Sequence, residues 1–240
     1  MNDFEITKRE VLVSVSIIAI LLLIGVLISG KISESQMDRN EMYNKALKVE
    51  DADIFEYGMR TNIGNAFVYG DLIAVDSVGY PEIKGQYMYI EKIKERYTKH
   101  TRTVTKTVNG KTQTKTETYW TWDRVGGESK KSETVSFLGV NFDSDKIVMP
   151  GKYHIATIKE SSRVRYVYNG VNAKNTGTIF TELKDETISD ETPFYADMTI
   201  EETIEQLESG IGLIIFWIFW ILLICGSVVG FYYIDNRWLE

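Results

Sequence analysis

TRTVTKTVNGKTQTKTET, residues 101–118, places threonine at almost every second position and turns on Asn109-Gly110. Asn-Gly between alternating segments is a strong hairpin signal, because both residues tolerate the positive φ that a tight two-residue turn demands. Such a turn sets Val108 opposite Lys111, Thr107 opposite Thr112, Thr105 opposite Thr114 and Thr103 opposite Thr116. One side is then a ladder of threonines. The other carries Arg102, Val104, Lys106 and Val108 against Lys111, Gln113, Lys115 and Glu117. Neither side offers apolar area to bury. The hairpin is therefore expected to project into water as an arm over residues 97–122, held at its base by Tyr97, Tyr119, Trp120 and Trp122. Cross-strand pairs contribute about 0.2–1 kcal/mol each, so such an arm can keep its shape without a core.

The chain around this arm is bounded by two apolar runs. Val11 to Ser29 holds 19 residues without a charge, and Ile211 to Ile234 holds 24. Each is long enough to cross a hydrocarbon core of about 30 Å as a helix. The first run also fits a signal peptide after Lys8 and Arg9. Its length exceeds the usual apolar region of such peptides and no A-x-A-like site follows, so a retained anchor is expected. Lys8 and Arg9 precede the first span and Lys31 and Arg39 follow it, which leaves that span ambiguous. The second is clearer: no Lys or Arg lies between Lys184 and the span, whereas Arg237 lies just beyond it. The positive-inside rule then puts both termini in the cytoplasm and the central domain outside. The expected layout is a cytoplasmic N-terminus (1–10), a first transmembrane helix (11–29), an external β-rich domain (30–210), a second transmembrane helix (211–234) and a cytoplasmic tail (235–240).

Within the central domain, residues 33–48 read as a helix leaving the membrane. Residues 199–209 read as a short amphipathic helix, with Thr199 and Glu202 at capping-box spacing and Ile200, Ile204, Leu207 and Ile211 on one stripe. Gly210 and Gly212 would form a soft joint to the second span. Between these helices β signals dominate: NAFVYG, DLIAV, YMYI, TVSFLGVNF, KIVM, YHIATI, VRYVY and GTIFTEL. A second Asn-Gly pair, Asn169-Gly170, implies another hairpin turn. The expected fold class is a membrane-anchored α+β chain, mainly β. Eight to ten strands would form a sandwich or partly open barrel between two transmembrane helices, with the long hairpin protruding.

Chemistry is sparse. The chain has two histidines and no H-E-x-x-H, P-loop or G-x-S-x-G pattern. His154 alternates with apolar residues and could lie near Ser161 or Ser162, although a strand histidine of this kind is usually structural. His100, among charges at the base of the arm, reads as solvated. The single cysteine, Cys225, excludes a disulfide framework and a Cys-based zinc site. The acidic stretch DETISDE lacks the ligand order of an EF-hand and reads as a solvated loop. No cofactor, no metal and no catalytic residue is expected. The central domain has no N-x-S/T sequon, which favours a bacterial or organellar surface, bacterial before eukaryotic.

Charge is unevenly spread. Glu91 to Lys131 carries eleven Lys and Arg against five Asp and Glu, while Glu182 to Glu208 carries ten acidic residues and only Lys184 as a base. A basic arm and an acidic membrane-proximal stem result. The arm fits a contact with an anionic headgroup, an anionic wall polymer or a membrane or surface protein. It equally fits a solvated arm whose lysines prevent edge-to-edge pairing. Nucleic acid is not expected, because the arm is read as external and the whole chain is acidic. In the spans, Gly226 and Gly230 make a G-x-x-x-G, and Gly25 and Ser29 a small-x-x-x-small pair. Each pair meets larger residues of the other span or drives association between chains, including a homo-oligomer.

The layout resembles the beside-a-membrane domain of GIDE-type mitochondrial ubiquitin ligases. The residues that carry the likeness are YIEKIKERY and YWTWDRV joined by a variable hairpin, then VSFLGV, then GTIFTEL with ISDETPFY, and TIEETIEQLES leading into the second span. They fall within residues 66 to 240. In that family the ligase activity belongs to a RING domain after the second span, and residues 235–240 contain neither cysteine nor histidine. The resemblance therefore implies a membrane-adjacent domain for sensing or protein contact, and no ligase chemistry.

The reading is a non-catalytic two-span membrane protein, a sensor, adaptor or exclusion factor, whose external domain binds next to the membrane. Arg102, Lys106, Thr107, Lys111, Thr112 and Lys115 are the candidate contact residues. Gly25, Ser29, Gly226 and Gly230 are the candidate helix-packing residues. The alternative is a structural or assembly subunit acting through its transmembrane helices.

Overall fold

The computed structural model of the chain describes residues 7–108 and 111–238. It contains two compact units, one helical (Met1–Ala46 with Glu202–Glu240) and one β-rich (Leu47–Glu201).

The helical unit is built on α1 (Lys8–Lys45) and α4 (Ile211–Trp238). Helix α1 starts in a capping box. The Thr7 hydroxyl accepts from the Glu10 backbone N–H at 3.2 Å, and the Glu10 carboxylate accepts from the Thr7 backbone N–H at 2.6 Å. Both helices are long and apolar enough to cross a membrane. The 19 uncharged residues of α1 span about 29 Å at 1.5 Å per residue, and the helix continues for sixteen residues beyond Ser29. The helix expected over 33–48 is thus the continuation of the first span. It ends at Lys45, because the next residues belong to a sheet.

Helices α1 and α4 are antiparallel. At one end Arg9 Nη2 bonds both carboxylate oxygens of Asp235, at 2.8 and 3.0 Å. At the other, Gln36 Nε2 donates to the carbonyls of Glu208 and Ser209, and Asn44 Nδ2 to the Glu208 carboxylate at 2.8 Å. Midway, Trp220 Nε1 donates to the Leu21 carbonyl at 2.9 Å. That indole lies directly on Gly25, where an added Cβ would come within 2.3 Å of Trp220 Nε1. Glycine here creates the space for the tryptophan. At Gly226 and Gly230 no other part of the described residues comes within 4 Å of such a Cβ, and the Ser29 hydroxyl bonds its own helix at Val26 O. Helix α3 (Ile200–Glu208) precedes α4, and the break between them falls at Ser209 and Gly210.

In the β-rich unit, β1 (Leu47–Val49), β2 (Gly64–Ala74), β5 (Thr134–Phe137), β6 (Val140–Asp143), β9 (Lys174–Leu183) and β10 (Phe194–Ala196) form one sheet. Its order is β10-β9-β2-β5-β6, with β1 parallel to β2. The second sheet is antiparallel, in the order β4-β3-β8-β7, from β3 (Tyr87–Val108), β4 (Lys111–Lys131), β7 (Tyr153–Ser161) and β8 (Val164–Asn172). Among the described residues there are ten strands and no closed barrel.

Helix α2 (Ala52–Thr61) covers one face of the first sheet. Asp51 caps its start by accepting from the Asp53 and Ile54 N–H groups, and Asn62 ends it in a left-handed conformation. The buried residues Phe55, Gly58 and Met59 recur at helical spacing. Phe55 meets the edges of Phe137 and Phe142, at centroid distances of 5.9 and 6.2 Å. Alternate residues of β2 and β9, among them Val68, Leu72, Ile179 and Leu183, complete this core, together with Met88 and Val171 of the second sheet. A smaller cluster lies on the second sheet, where Tyr80 and Ile83 cover Tyr87, Ile90 and Tyr168.

Two of the chain's crossings between sheets are tight corners: Ser132-Glu133 between β4 and β5, and Ala173 between β8 and β9. Asp76 pins the first. Its carboxylate accepts from the Ser132 hydroxyl (2.6 Å), the Glu133 N–H (2.7 Å) and the Thr134 N–H (2.8 Å). The Ala173 carbonyl at the second corner accepts from the Ala74 N–H at 2.8 Å. Asn169-Gly170, expected to turn, lies inside β8 instead. A Cβ at Gly170 would sit 2.6 Å from the Tyr89 carbonyl oxygen, so the glycine serves close strand approach. Asn169 donates to the Glu91 carboxylate at 3.1 Å. The turn that does join β7 to β8 is Ser162-Arg163.

Two predictions follow from these contacts. Gly25→Leu should displace Trp220 and weaken the α1–α4 pair by about 1–3 kcal/mol, the usual cost of overpacking, whereas Gly226→Leu should leave it unchanged. Disulfide yield between Arg9→Cys and Asp235→Cys in membranes reads the difference, and equal yields in the two backgrounds would contradict it. The second concerns acid. The three donors at Asp76, with the Ser132 hydroxyl foremost, lower its carboxyl to about 2, and the Lys92 ammonium lowers Glu82 to about 2. Such groups stabilise the fold fully above their ordinary values and lose that contribution as pH falls through the folded value. Thermal unfolding should therefore show stability dropping between about pH 4.5 and 2, and Asp76→Asn should flatten that drop. An unchanged pH profile in the variant would count against the corner contact.

Candidate partner-binding arm

Strand β3 runs through 22 residues, but its two neighbours support it over different lengths. Strand β4 pairs with it from Tyr89↔Lys131 to Val108↔Lys111, with one irregularity at Lys94/Glu95 where Val125 is the extra residue. Strand β8 pairs only as far as Arg96↔Val164, and the last bond on that side runs from the Tyr97 N–H to the Arg163 carbonyl at 2.9 Å. From Thr98 outward the arm is a two-stranded ribbon. Its register sets Thr101, Thr103, Thr105 and Thr107 opposite Thr118, Thr116, Thr114 and Thr112, as a two-residue connection requires. Asn109 and Gly110 lie outside the described residues, as do the side chains of Thr107 and Lys111.

The base of the arm differs on its two faces. On the threonine face, Tyr97 packs against Trp120 (5.2 Å, stacked) and Trp122 (5.1 Å). Arg163 lies over the Trp120 ring at 5.7 Å and Arg165 over the Trp122 ring at 4.3 Å. Arg165 also bonds the Glu95 carboxylate at 2.6 Å, whereas Arg163 forms no ion pair among the described residues. Trp120 keeps 41% of its surface exposed. Exposed tryptophan and tyrosine beside arginine are the residue types that dominate binding energy at protein contacts.

On the opposite face, Asp123 gathers Thr98, Thr121 and His100. Thr98 donates to its Oδ2, Thr121 donates to Oδ1 at 2.7 Å, and His100 Nε2 lies 2.6 Å from Oδ2. These contacts, the Thr98 hydroxyl first, lower the Asp123 carboxyl to about 2. His100 stacks on Tyr119 at 5.4 Å. The solvated histidine expected from the sequence is therefore held, because strand pairing brings Asp123 onto its face.

The candidate contact residues fall along the ribbon. Arg102 bonds the Glu117 carboxylate at 3.0 Å and lies 5.9 Å from the Tyr119 ring centre, so its charge is partly engaged. Lys106, Thr112 and Lys115 are exposed, and neither lysine forms an ion pair among the described residues. Lys99, Arg163 and Arg165 were not among the candidates. For the two arginines the signal is RVRYVY, which sets Arg163 in the turn and Arg165 two residues on in β8, each over one of the paired tryptophans.

Other expected chemistry is dispersed. His154 and Ser161 stand at opposite ends of β7, about 23 Å apart at strand spacing, so the structure does not bring them together. His154 contacts Thr157 at 3.4 Å, and Ser161 accepts from the Arg163 N–H. Among the described residues no group of three His, Cys, Asp or Glu could hold a metal ion. In DETISDE, Asp190 pairs with Lys146 at 2.7 Å. No family model, curated protein or solved structure matches this chain.

Asp123→Ala removes the acceptor shared by Thr98, His100 and Thr121. Faster amide exchange is expected over residues 98–121 while β2 and β9 keep wild-type protection. Equal exchange in the arm would show that Asp123 does not hold it.

Proposed function

We propose that the chain is a non-catalytic, two-span membrane protein whose β-rich domain contacts an anionic partner through the β3–β4 arm. Both termini lie in the cytoplasm and the domain lies outside, following the Arg237 and Lys184 asymmetry around the second span. The observation that carries the reading is the arm itself. It leaves the sheet at Tyr97, carries Lys99, Lys106 and Lys115 without ion pairs among the described residues, and has no apolar face for its own core. The likeness to the beside-a-membrane domain of the GIDE-type ligases supports a contact role of the same kind. Complementary charge raises the rate of encounter and selects the partner more than it adds affinity.

A second reading rests on the open surface at Gly226 and Gly230, which no side chain among the described residues covers within 4 Å of an added Cβ. Under it the protein is an assembly subunit joined through α4, and Gly226→Ile with Gly230→Ile abolishes function while shortening the arm does not.

Photo-crosslinking in cells from Thr105 and Thr112 separates the two. A discrete adduct, weakened when Lys106 and Lys115 are replaced by glutamate, is expected of an arm that binds. No adduct at either site, with function intact after arm shortening, would sink the contact reading.

A further inference from the structure

The step where β8 stops and β3 continues leaves an open strand edge, and the side chains beside it carry charge of one sign. In a strand, successive residues direct their N–H and C=O to opposite sides, so bonding to a given neighbour recurs at every second residue. The Tyr97 N–H points toward β8, where it meets Arg163. Lys99, Thr101, Thr103 and Thr105 therefore point their backbone groups to that same side, where no strand follows among the described residues. From Thr98 to Val108, β3 holds Lys99, Arg102 and Lys106 and no Asp or Glu. Arg163 closes the inner end of the edge, and Lys99 shares the threonine face with Trp120. The outer edge of β4 is different: that strand mixes Glu117, Asp123 and Glu128 with its lysines and Arg124, and its regular course is interrupted at Val125.

The geometry points to β-strand addition: an extended acidic segment of a partner protein pairs with β3 over Thr98–Val108, continuing the line of β8. This rests on the contact reading above and names the partner's chemistry. Unpaired backbone groups repeating at strand spacing are satisfied by another polypeptide in register, which a lipid headgroup or a sugar polymer does not offer. Lys99 and Arg163 on the threonine face, and Lys106 on the other, form no ion pair among the described residues and favour acidic side chains on the incoming strand. Its first residues meet Arg163 and Trp120, and a stretch of ten residues covers about 33 Å of edge.

The test uses the full chain in detergent micelles and a fluorescein-labelled decapeptide of alternating Glu and Val, read by fluorescence anisotropy. Thr101→Pro with Thr103→Pro removes two outward N–H groups and leaves the β3–β4 ladder intact, since edge strands accept proline. Binding to the wild type is expected, with a loss of about tenfold in the proline variant, as for one or two lost backbone hydrogen bonds. Arg163→Glu should weaken binding by a similar factor. The same peptide N-methylated at alternate residues repeats the test on unaltered protein and should also bind about tenfold more weakly. Equal binding of the methylated peptide overturns strand addition and leaves a contact by charge alone. No binding of the parent peptide at about 1 mM, with adhesion of the chain to phosphatidylglycerol vesicles, overturns it in favour of a lipid surface.

Discussion

Strand β3 is paired with β4 from Tyr89 to its end at Val108, and with β8 along less than half of its length. Everything distinctive about the β-rich unit depends on that mismatch. Up to Arg96 the strand is an interior member of a four-stranded sheet, with Ile90 fully buried and Tyr80 and Ile83 laid across its face. After Tyr97 the same strand has one neighbour, no core and a row of threonines. Between these regimes sit the aromatic pairings of Tyr97 with Trp120 and Trp122, and the Asp123 cluster on the opposite face. They stabilise the point at which sheet support ends. Such a base is needed because an isolated two-stranded ribbon is marginal in water.

The rest of the unit keeps this base fixed. Strands β4 and β8, which flank β3, both continue into the other sheet after one or two residues, at Ser132-Glu133 and at Ala173. Asp76 ties the first corner with three hydrogen bonds, and Ala74 N–H ties the second. Lys92 adds a lock on the second sheet. Its ammonium bonds Glu82 at 2.6 Å and lies 4.9 Å from the Tyr166 ring centre, within reach of Tyr80 and Tyr168. Opposite charge at Glu82 raises the Lys92 ammonium well above its ordinary value. The loop that covers the sheet is thereby held by a charge as well as by apolar contact.

Much of this was legible in the sequence where a single local rule decides. Nineteen and 24 uncharged residues define the two long apolar helices, and Asn109-Gly110 sets the strand register on either side of it. Elsewhere the same letters carry different meanings. Asn169-Gly170 has the turn signature of Asn109-Gly110, yet it runs straight through β8, because the Tyr89 carbonyl and Ile155 crowd the position where a side chain would be. That is tertiary information. Helix α2 was hidden for another reason: its apolar residues Phe55 and Met59 are few, and Asp51 and Asn62 acquire their meaning only as caps. The helix over 33–48 was legible, but its unbroken join to the first span was not, because Gln36 and Asn44 reach Glu208 and Ser209 only once the two helical segments pair. Arg163 and Arg165 read as ordinary strand charges until β8 places them over two indole rings from β4.

The most direct test is residue-resolved hydrogen exchange along β3, on the full chain in native membranes and after purification. In purified protein, amides of Thr98, His100, Arg102 and Val104 should be protected by β4, while those of Lys99, Thr101, Thr103 and Thr105 exchange freely. In native membranes the second group should become protected as well, the mark of a partner seated on the open edge. Free exchange of that group in both preparations, or protection in both, would contradict the account.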